Sequence, residues 1–221
     1  MSKDIAHVGL IPDGARRWAA KNGCTLDAAY DLTMRHIADI AALIFDCGIR
    51  TLSVYLLSAD NIRRRTEREL RSVIDAETRL ASEILPPLLA QIGARANVAG
   101  QKPLLPDRFV HALDSLERAT PQARAATRTL NLLVAYDPWL ELDQAMAEAS
   151  LEHPANEQLW IREDVDAVLR SGGANRLSGF LPLQARYAEL LFLDDLFLDL
   201  TAEGITSALD KIRRRQRRLG S

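Results

Sequence analysis

The residues richest in chemistry lie at 11–19, IPDGARRWA: one carboxylate (Asp13), a glycine (Gly14), two arginines and a tryptophan. The preceding run, His7 to Ile11, is short and apolar and predicts a buried strand; from Arg16 to Asn22 the pattern predicts the first turns of a helix. A strand, a tight glycine turn and a helix start leave backbone N–H groups and the positive end of a helix dipole facing an anion. Asp13 in that turn cannot hold an anion directly. It makes sense as a ligand of Mg²⁺, which bridges to phosphate oxygens. The expectation is a phosphate or diphosphate site.

Two further stretches fit that chemistry. Residues 58–65, SADNIRRR, follow a predicted strand. Ser58 and Asp60 serve equally well as helix caps or as site residues; Asn61 and Arg64 are expected to face the same rim as Asp13. Residues 170–178, RSGGANRLS, set Arg170, Arg176 and Ser178 around a glycine pair. Two guanidinium forks, a hydroxyl and backbone N–H groups can grip a diphosphate. Glu189 is expected in a strongly apolar helix, where a carboxylate needs a partner. That partner is either an arginine or the metal–diphosphate centre. Asp194, Asp195 and Asp199 resemble the aspartate-rich box of all-α isoprenoid synthases, but their spacing is one residue too long; they are expected to be ordinary helix-end residues.

Those residues need a scaffold. Strands are predicted at 6–11, 50–57, 94–99, 128–135 and near 166–169, and helices at 27–47, 66–92, 107–119, 139–150, 157–162, 183–193 and 201–218. Gly48 is expected to close the first long helix. Strands alternating with helices give an α/β fold with a mainly parallel sheet wrapped by helices. Ligands in such sheets sit beyond the carboxyl ends of the strands, so the chemistry is expected after residues 11, 57, 135 and 169.

The 221 residues suit a single domain, 1–221. A net charge of −2 gives no general pull towards nucleic acid. The arginine runs at 63–65 and 211–218 are read as solvated faces, and with aromatics at 5% they lack the stacking residues of a nucleic-acid surface. Cys24 and Cys47 form no disulfide framework or zinc pattern. No signal peptide or transmembrane segment is read, and the expected location is the cytoplasm.

In this order the stretches resemble the motifs of the cis-prenyltransferase family, to which undecaprenyl diphosphate synthase belongs. The family pattern H-x-x-x-x-M-D-G-N-x-R-W-A stands as His7 through Ala19, with Pro12 for Met and Ala15 for Asn. S-x-E-N-W-x-R-P stands as 58–65. R-T-S-G-E-x-R-L-S-N-F stands as Arg170 to Phe180, with Tyr187 and Glu189 for Y-x-E. The terminal R-x-G is Arg218 to Gly220. The resemblance implies a helix-wrapped parallel sheet with a hydrophobic tunnel, working as a homodimer. It implies that Asp13 holds Mg²⁺ and that Gly14, Ala15, Arg16, Arg17 and Trp18 form the first, allylic diphosphate site. Arg170, Arg176 and Ser178 would form the second, closed by Gly220 of the other copy. Asn61, Arg64 and Ser58 would line the space where the carbon–carbon bond forms.

Departures from the pattern narrow the resemblance. The family's G-H-x-x-G is here 29–33, AYDLT; Y-G-G-R is 136–139, YDPW; the second-motif Trp is Ile62; the Glu after the S-G pair is Ala174; and Leu26 replaces an arginine. These features are similar to the lavandulyl-type synthases of bacterial secondary metabolism, with isosesquilavandulyl and cyclolavandulyl diphosphate synthases as the nearest types. That branch implies head-to-middle condensation of short allylic diphosphates, with dimethylallyl diphosphate as acceptor. The alternatives are a short-chain head-to-tail enzyme using isopentenyl diphosphate and, against the presence of Asp13, a non-catalytic subunit.

Overall fold

The computed structural model describes residues 5–121 and 126–214. Six strands form one parallel sheet: β1 (His7–Ile11), β2 (Thr51–Ser58), β3 (Ala94–Ala99), β4 (Arg128–Tyr136), β5 (Ala167–Arg170) and β6 (Glu189–Phe192), in the order β3-β4-β2-β1-β5-β6. The sheet is parallel because most strands are joined through helices long enough to return the chain to the same edge. The helices are α1 (Ala15–Asn22), α2 (Leu26–Asp46), α3 (Ala59–Arg64), α4 (Glu67–Arg79), α5 (Leu85–Ile92), α6 (Asp107–Ala119), α7 (Pro138–Glu148) and α8 (Ala202–Arg214).

Successive strand residues point to opposite faces. Val8, Leu10, Leu52 and Val54 enter the larger core, with Ile37, Ile44, Leu80 and Leu209 from the helices. Ile11 and Val168 enter a smaller core on the other face, with Tyr136, Ile161 and Phe180.

The first five strands fall where the sequence predicts them. The helix expected at 66–92 is α4 and α5 joined through a π-helical turn, Leu80–Ile84. Gly48 stands just past the C-cap of α2, Cys47, at φ +84.

Three expectations fail. Residues 157–162 are not helical; only a 3₁₀ turn, Ala155–Glu157, forms there. Residues 183–193 are not a helix but a loop leading into β6. Their apolar run fits a short strand as well as a helix, and periodicity alone cannot separate the two over so few residues. Asp194, Asp195 and Asp199 therefore do not end a helix: they follow β6, and Asp199 belongs to a 3₁₀ turn, Phe197–Asp199. Helix α3 went unpredicted. Six residues are too few for a period, and the predicted cap at Ser58 was its one local sign.

Candidate active site

The connections from β1 and β5 diverge. These two strands are neighbours in the sheet, but β1 leads towards β2 on one side and β5 towards β6 on the other. Such a divergence opens a crevice beyond the carboxyl ends. Ile11 pairs with Arg170 in register, so the loops after them start side by side.

Asp13 stands between the two loops. Its Oδ2 accepts from Arg170 Nη2 at 2.8 Å and its Oδ1 from Arg17 Nη2 at 3.3 Å. Its backbone N–H donates to Ser171 Oγ at 2.9 Å, and its carbonyl accepts from that hydroxyl at 3.0 Å. Ser171 thus fastens one loop to the other. Arg17 Nη1 donates to the Gly172 carbonyl at 2.8 Å. Gly172 is required here. Its φ is +85°, and a Cβ would lie 2.5 Å from Arg17 Nη2 and 3.1 Å from the Asp13 carbonyl oxygen.

The Arg170 side chain is only 5% exposed. Nη1 donates to the Arg176 carbonyl at 2.6 Å and to Ser178 Oγ at 2.8 Å. Its Nε is buried with no partner among the described residues. Arg176 and Ser178 are exposed at the loop surface. The loop leans on the chain after β6: Gly172 N–H donates to the Asp195 carbonyl at 2.7 Å and Gly173 N–H to the Leu193 carbonyl at 2.9 Å.

A cavity of about 480 Å³ opens beneath the Asp13 turn, between the start of α1, α2 and α4. Its mouth carries Asp13, Gly14, Arg16, Arg17, Arg65 and Glu69, and its depth is lined by Met34, Ile37, Leu56 and Val73. Arg16 pairs with Glu69 at 3.2 Å. Tyr30, standing where the family pattern has histidine, is buried in this wall, with the Arg65 guanidinium carbon 5.9 Å from its ring centre. Burial pushes the Tyr30 phenol above its ordinary value. Ala15 opens α1 and lines the same cavity. Trp18 Nε1 donates to Asp199 at 2.8 Å and Lys21 pairs with that carboxylate at 3.1 Å, tying α1 to the chain beyond β6.

The second cluster stands further out. Ser58 Oγ caps α3, accepting the Asn61 N–H at 3.0 Å. Asp60 pairs with Arg63 at 3.4 Å and Arg64 at 3.8 Å. Arg64 is 81% exposed, Asn61 is half-buried, and neither lines the cavity beneath Asp13. Glu189 is not brought to the site. It opens β6 opposite Ala167, at the amino end of the sheet, whereas the site begins beyond Arg170. Gly220 and Arg218 lie outside the described residues. Nothing in the sequence around Ser171 and Arg65 marks them for the site. Ser171 looks like one more small loop residue until the Asp13 loop lies against it, and Arg65 sits in a run whose default is solvent.

The polar mouth, apolar depth and position at the strand divergence suit a ligand with an anionic head and a hydrocarbon tail. A family model described as "Putative undecaprenyl diphosphate synthase" matches residues 11–220. The chain belongs to the cis-prenyltransferase family. It is a prenyl diphosphate synthase, a transferase of prenyl groups. A tritrans,polycis-undecaprenyl-diphosphate synthase (geranylgeranyl-diphosphate specific) of Aeropyrum pernix is 33% identical over 96% of this chain and 97% of its own length. Isoprenyl transferase 1 of Bradyrhizobium diazoefficiens is 33% identical over 97% of this chain and 89% of its own. The fold is shared with lavandulyl diphosphate synthase of Lavandula x intermedia, solved in complex with dimethylallyl diphosphate, at a TM-score of 0.89 and 22% identity over 98% of both chains. No helix among the described residues is long and apolar enough to cross a membrane.

Proposed function

We propose that this cis-prenyltransferase joins two short allylic diphosphates head to middle, with dimethylallyl diphosphate as acceptor and geranyl or dimethylallyl diphosphate as donor. The observation that carries this reading is the cavity beneath Asp13. Its wall holds Tyr30, in the segment where the family's G-H-x-x-G is replaced, with the Arg65 guanidinium over the ring. The similarity in fold to a lavandulyl diphosphate synthase is consistent with it.

Asp13 is the residue that would hold Mg²⁺. Among the described residues no group of three or more His, Cys, Asp or Glu side chains is gathered for a metal. A single carboxylate suits Mg²⁺, which keeps waters and takes substrate phosphate oxygens as ligands. When bound there, the ion supplies charge neutralisation for a departing diphosphate.

The chain's own residues do the rest. Arg16, Arg17 and the free N–H groups at the start of α1 hold the donor diphosphate and stabilise its charge as the allylic C–O bond breaks. Arg170, Arg176 and Ser178 hold the acceptor diphosphate alongside. Met34, Ile37, Leu56 and Val73 keep water from the allylic cation, and fixing both chains in one crevice supplies proximity. The acceptor's double bond attacks, and the departing diphosphate takes the proton that is lost. We further propose that the enzyme is a cytoplasmic homodimer.

Product analysis tests the reading. Purified protein with Mg²⁺ is incubated with dimethylallyl, geranyl and isopentenyl diphosphates singly and in pairs, and the released alcohols are identified by mass spectrometry and NMR. Branched lavandulyl-type skeletons from allylic diphosphates alone are expected, with Asp13→Ala reducing turnover at least a hundredfold. Linear cis products formed only with isopentenyl diphosphate would establish the head-to-tail alternative instead.

A further inference from the structure

The strongest unassigned group near the site is the phenol of Tyr55, on β2. Its hydroxyl donates to the Ser178 carbonyl at 3.2 Å, across 123 positions of sequence. Ser178 has φ +52°, a left-handed conformation that costs a non-glycine residue energy and persists only where neighbours enforce it. Gly179 follows at φ +84°, with the Tyr55 hydroxyl 3.6 Å from where its Cβ would be. The same Ser178 turns its Oγ to Arg170 at 2.8 Å. One strained residue is therefore held at its carbonyl by Tyr55 and at its side chain by Arg170.

The ring is fixed as firmly as the hydroxyl. It packs against Phe180 (centres 5.6 Å apart) and edge-on to Tyr136 (6.1 Å). The pairing of β2 with β4 slips between Tyr55 and Leu57, the kind of irregularity that re-aims side chains beside a site. Burial pushes the Tyr55 phenol up to about 12, with the Ser58 hydroxyl beside it working the other way. The phenol stays protonated at neutral pH and remains a donor.

We propose that Tyr55 is a positioning residue of the acceptor side: its hydroxyl clamps the left-handed turn at Ser178, so that the turn, with Arg170 bonded beneath it, keeps the exposed Arg176 and Ser178 in place for the second diphosphate. The inference rests on the two-diphosphate reading above for its consequence, though not for the clamp itself.

Tyr55→Phe keeps the ring and removes the donor. Hydrogen exchange measured by mass spectrometry is expected to quicken in residues 171–179 by about two- to tenfold, the worth of one hydrogen bond, with the rest of the sheet unchanged. In steady-state kinetics the KM for the acceptor diphosphate should rise about five- to tenfold, with the donor KM unmoved. Ser178→Ala combined with Tyr55→Phe should be little worse than Ser178→Ala alone, because both act through one turn. Unchanged exchange in 171–179 overturns the clamp. Quickened exchange with equal changes in both KM values, or fully additive costs, overturns the acceptor-side role. A wild-type protein that turns over no pair of allylic diphosphates would instead sink the functional reading, while the exchange measurement still decides the clamp.

Discussion

Glu77 illustrates how one side chain's surroundings can reverse its usual behaviour. It lies on α4, one turn beyond the cavity-lining Val73, and is 1% exposed, with neither carboxyl oxygen partnered among the described residues. Burial pushes its pKa up to about 8, and the Arg65 guanidinium opposes this only in part. The folded state therefore binds this proton more tightly than the unfolded chain. Its contribution to stability is complete below about pH 4.5 and is lost as pH rises through about 8. The unfolding free energy from urea titrations should fall for the wild type between about pH 6 and about pH 9, by a few kcal/mol at most. Glu77→Gln, neutral at both, should lose markedly less. An equal fall in the two proteins would show that Glu77 is already ionised when folded. Asp13 has different surroundings: two guanidinium groups face it, and its side chain is 35% exposed.

At the scale of elements, the site depends on how closely β1 approaches the loop that carries the acceptor residues. Gly9 lies mid-strand, and a Cβ there would come within 2.4 Å of the buried Phe180 ring. Phe180 ends the 170–180 segment and packs on Tyr55, so a displaced ring disturbs the turn at Ser178. Gly9→Ala should cost about 1–3 kcal/mol, the usual range for overpacking, and should raise the acceptor KM as well; thermal denaturation together with kinetics checks both. A melting temperature equal to the wild type's would mean that the ring swings aside without strain. The same sheet carries a polar ladder at depth: His7 Nε2 and Ser53 Oγ are 2.8 Å apart, Asn131 donates to that serine at 3.0 Å, and Asn97 donates to Asn131 at 2.9 Å. Burial lowers the His7 pKa to about 4, so the ring is neutral near pH 7 and serves as a hydrogen-bonding group across four strands.

For the whole molecule, the proposed homodimer makes a claim about surface. Trp139 and Met146 lie seven residues apart on α7, hence on one face, and are 73% and 62% exposed. Large exposed apolar side chains grouped on one helix are what a second copy would cover. Sedimentation equilibrium should give twice the 24.5 kDa of one chain, and Trp139→Asp with Met146→Asp should weaken that association. A wild-type mass of one chain would remove the dimer and, with it, any role for Gly220 of another copy in closing the second diphosphate site.

The sequence by itself determined the α/β class, five of the six strands and the chemical character of the Asp13 and Arg170 loops. Those features are local: apolar period, glycine turns and charged residues following strands are all written within about ten neighbouring positions. It misassigned β6 and with it the setting of Glu189, because a four-residue strand in an apolar run carries no period of its own. Only the tertiary structure decided that β1 and β5 are neighbours with diverging connections. That pairing brings Asp13 and Arg170, 157 positions apart, to 2.8 Å and sets Tyr55 beneath Ser178. Strand order is fixed by which faces can be buried together, a property of the assembled core that no short stretch of chain contains.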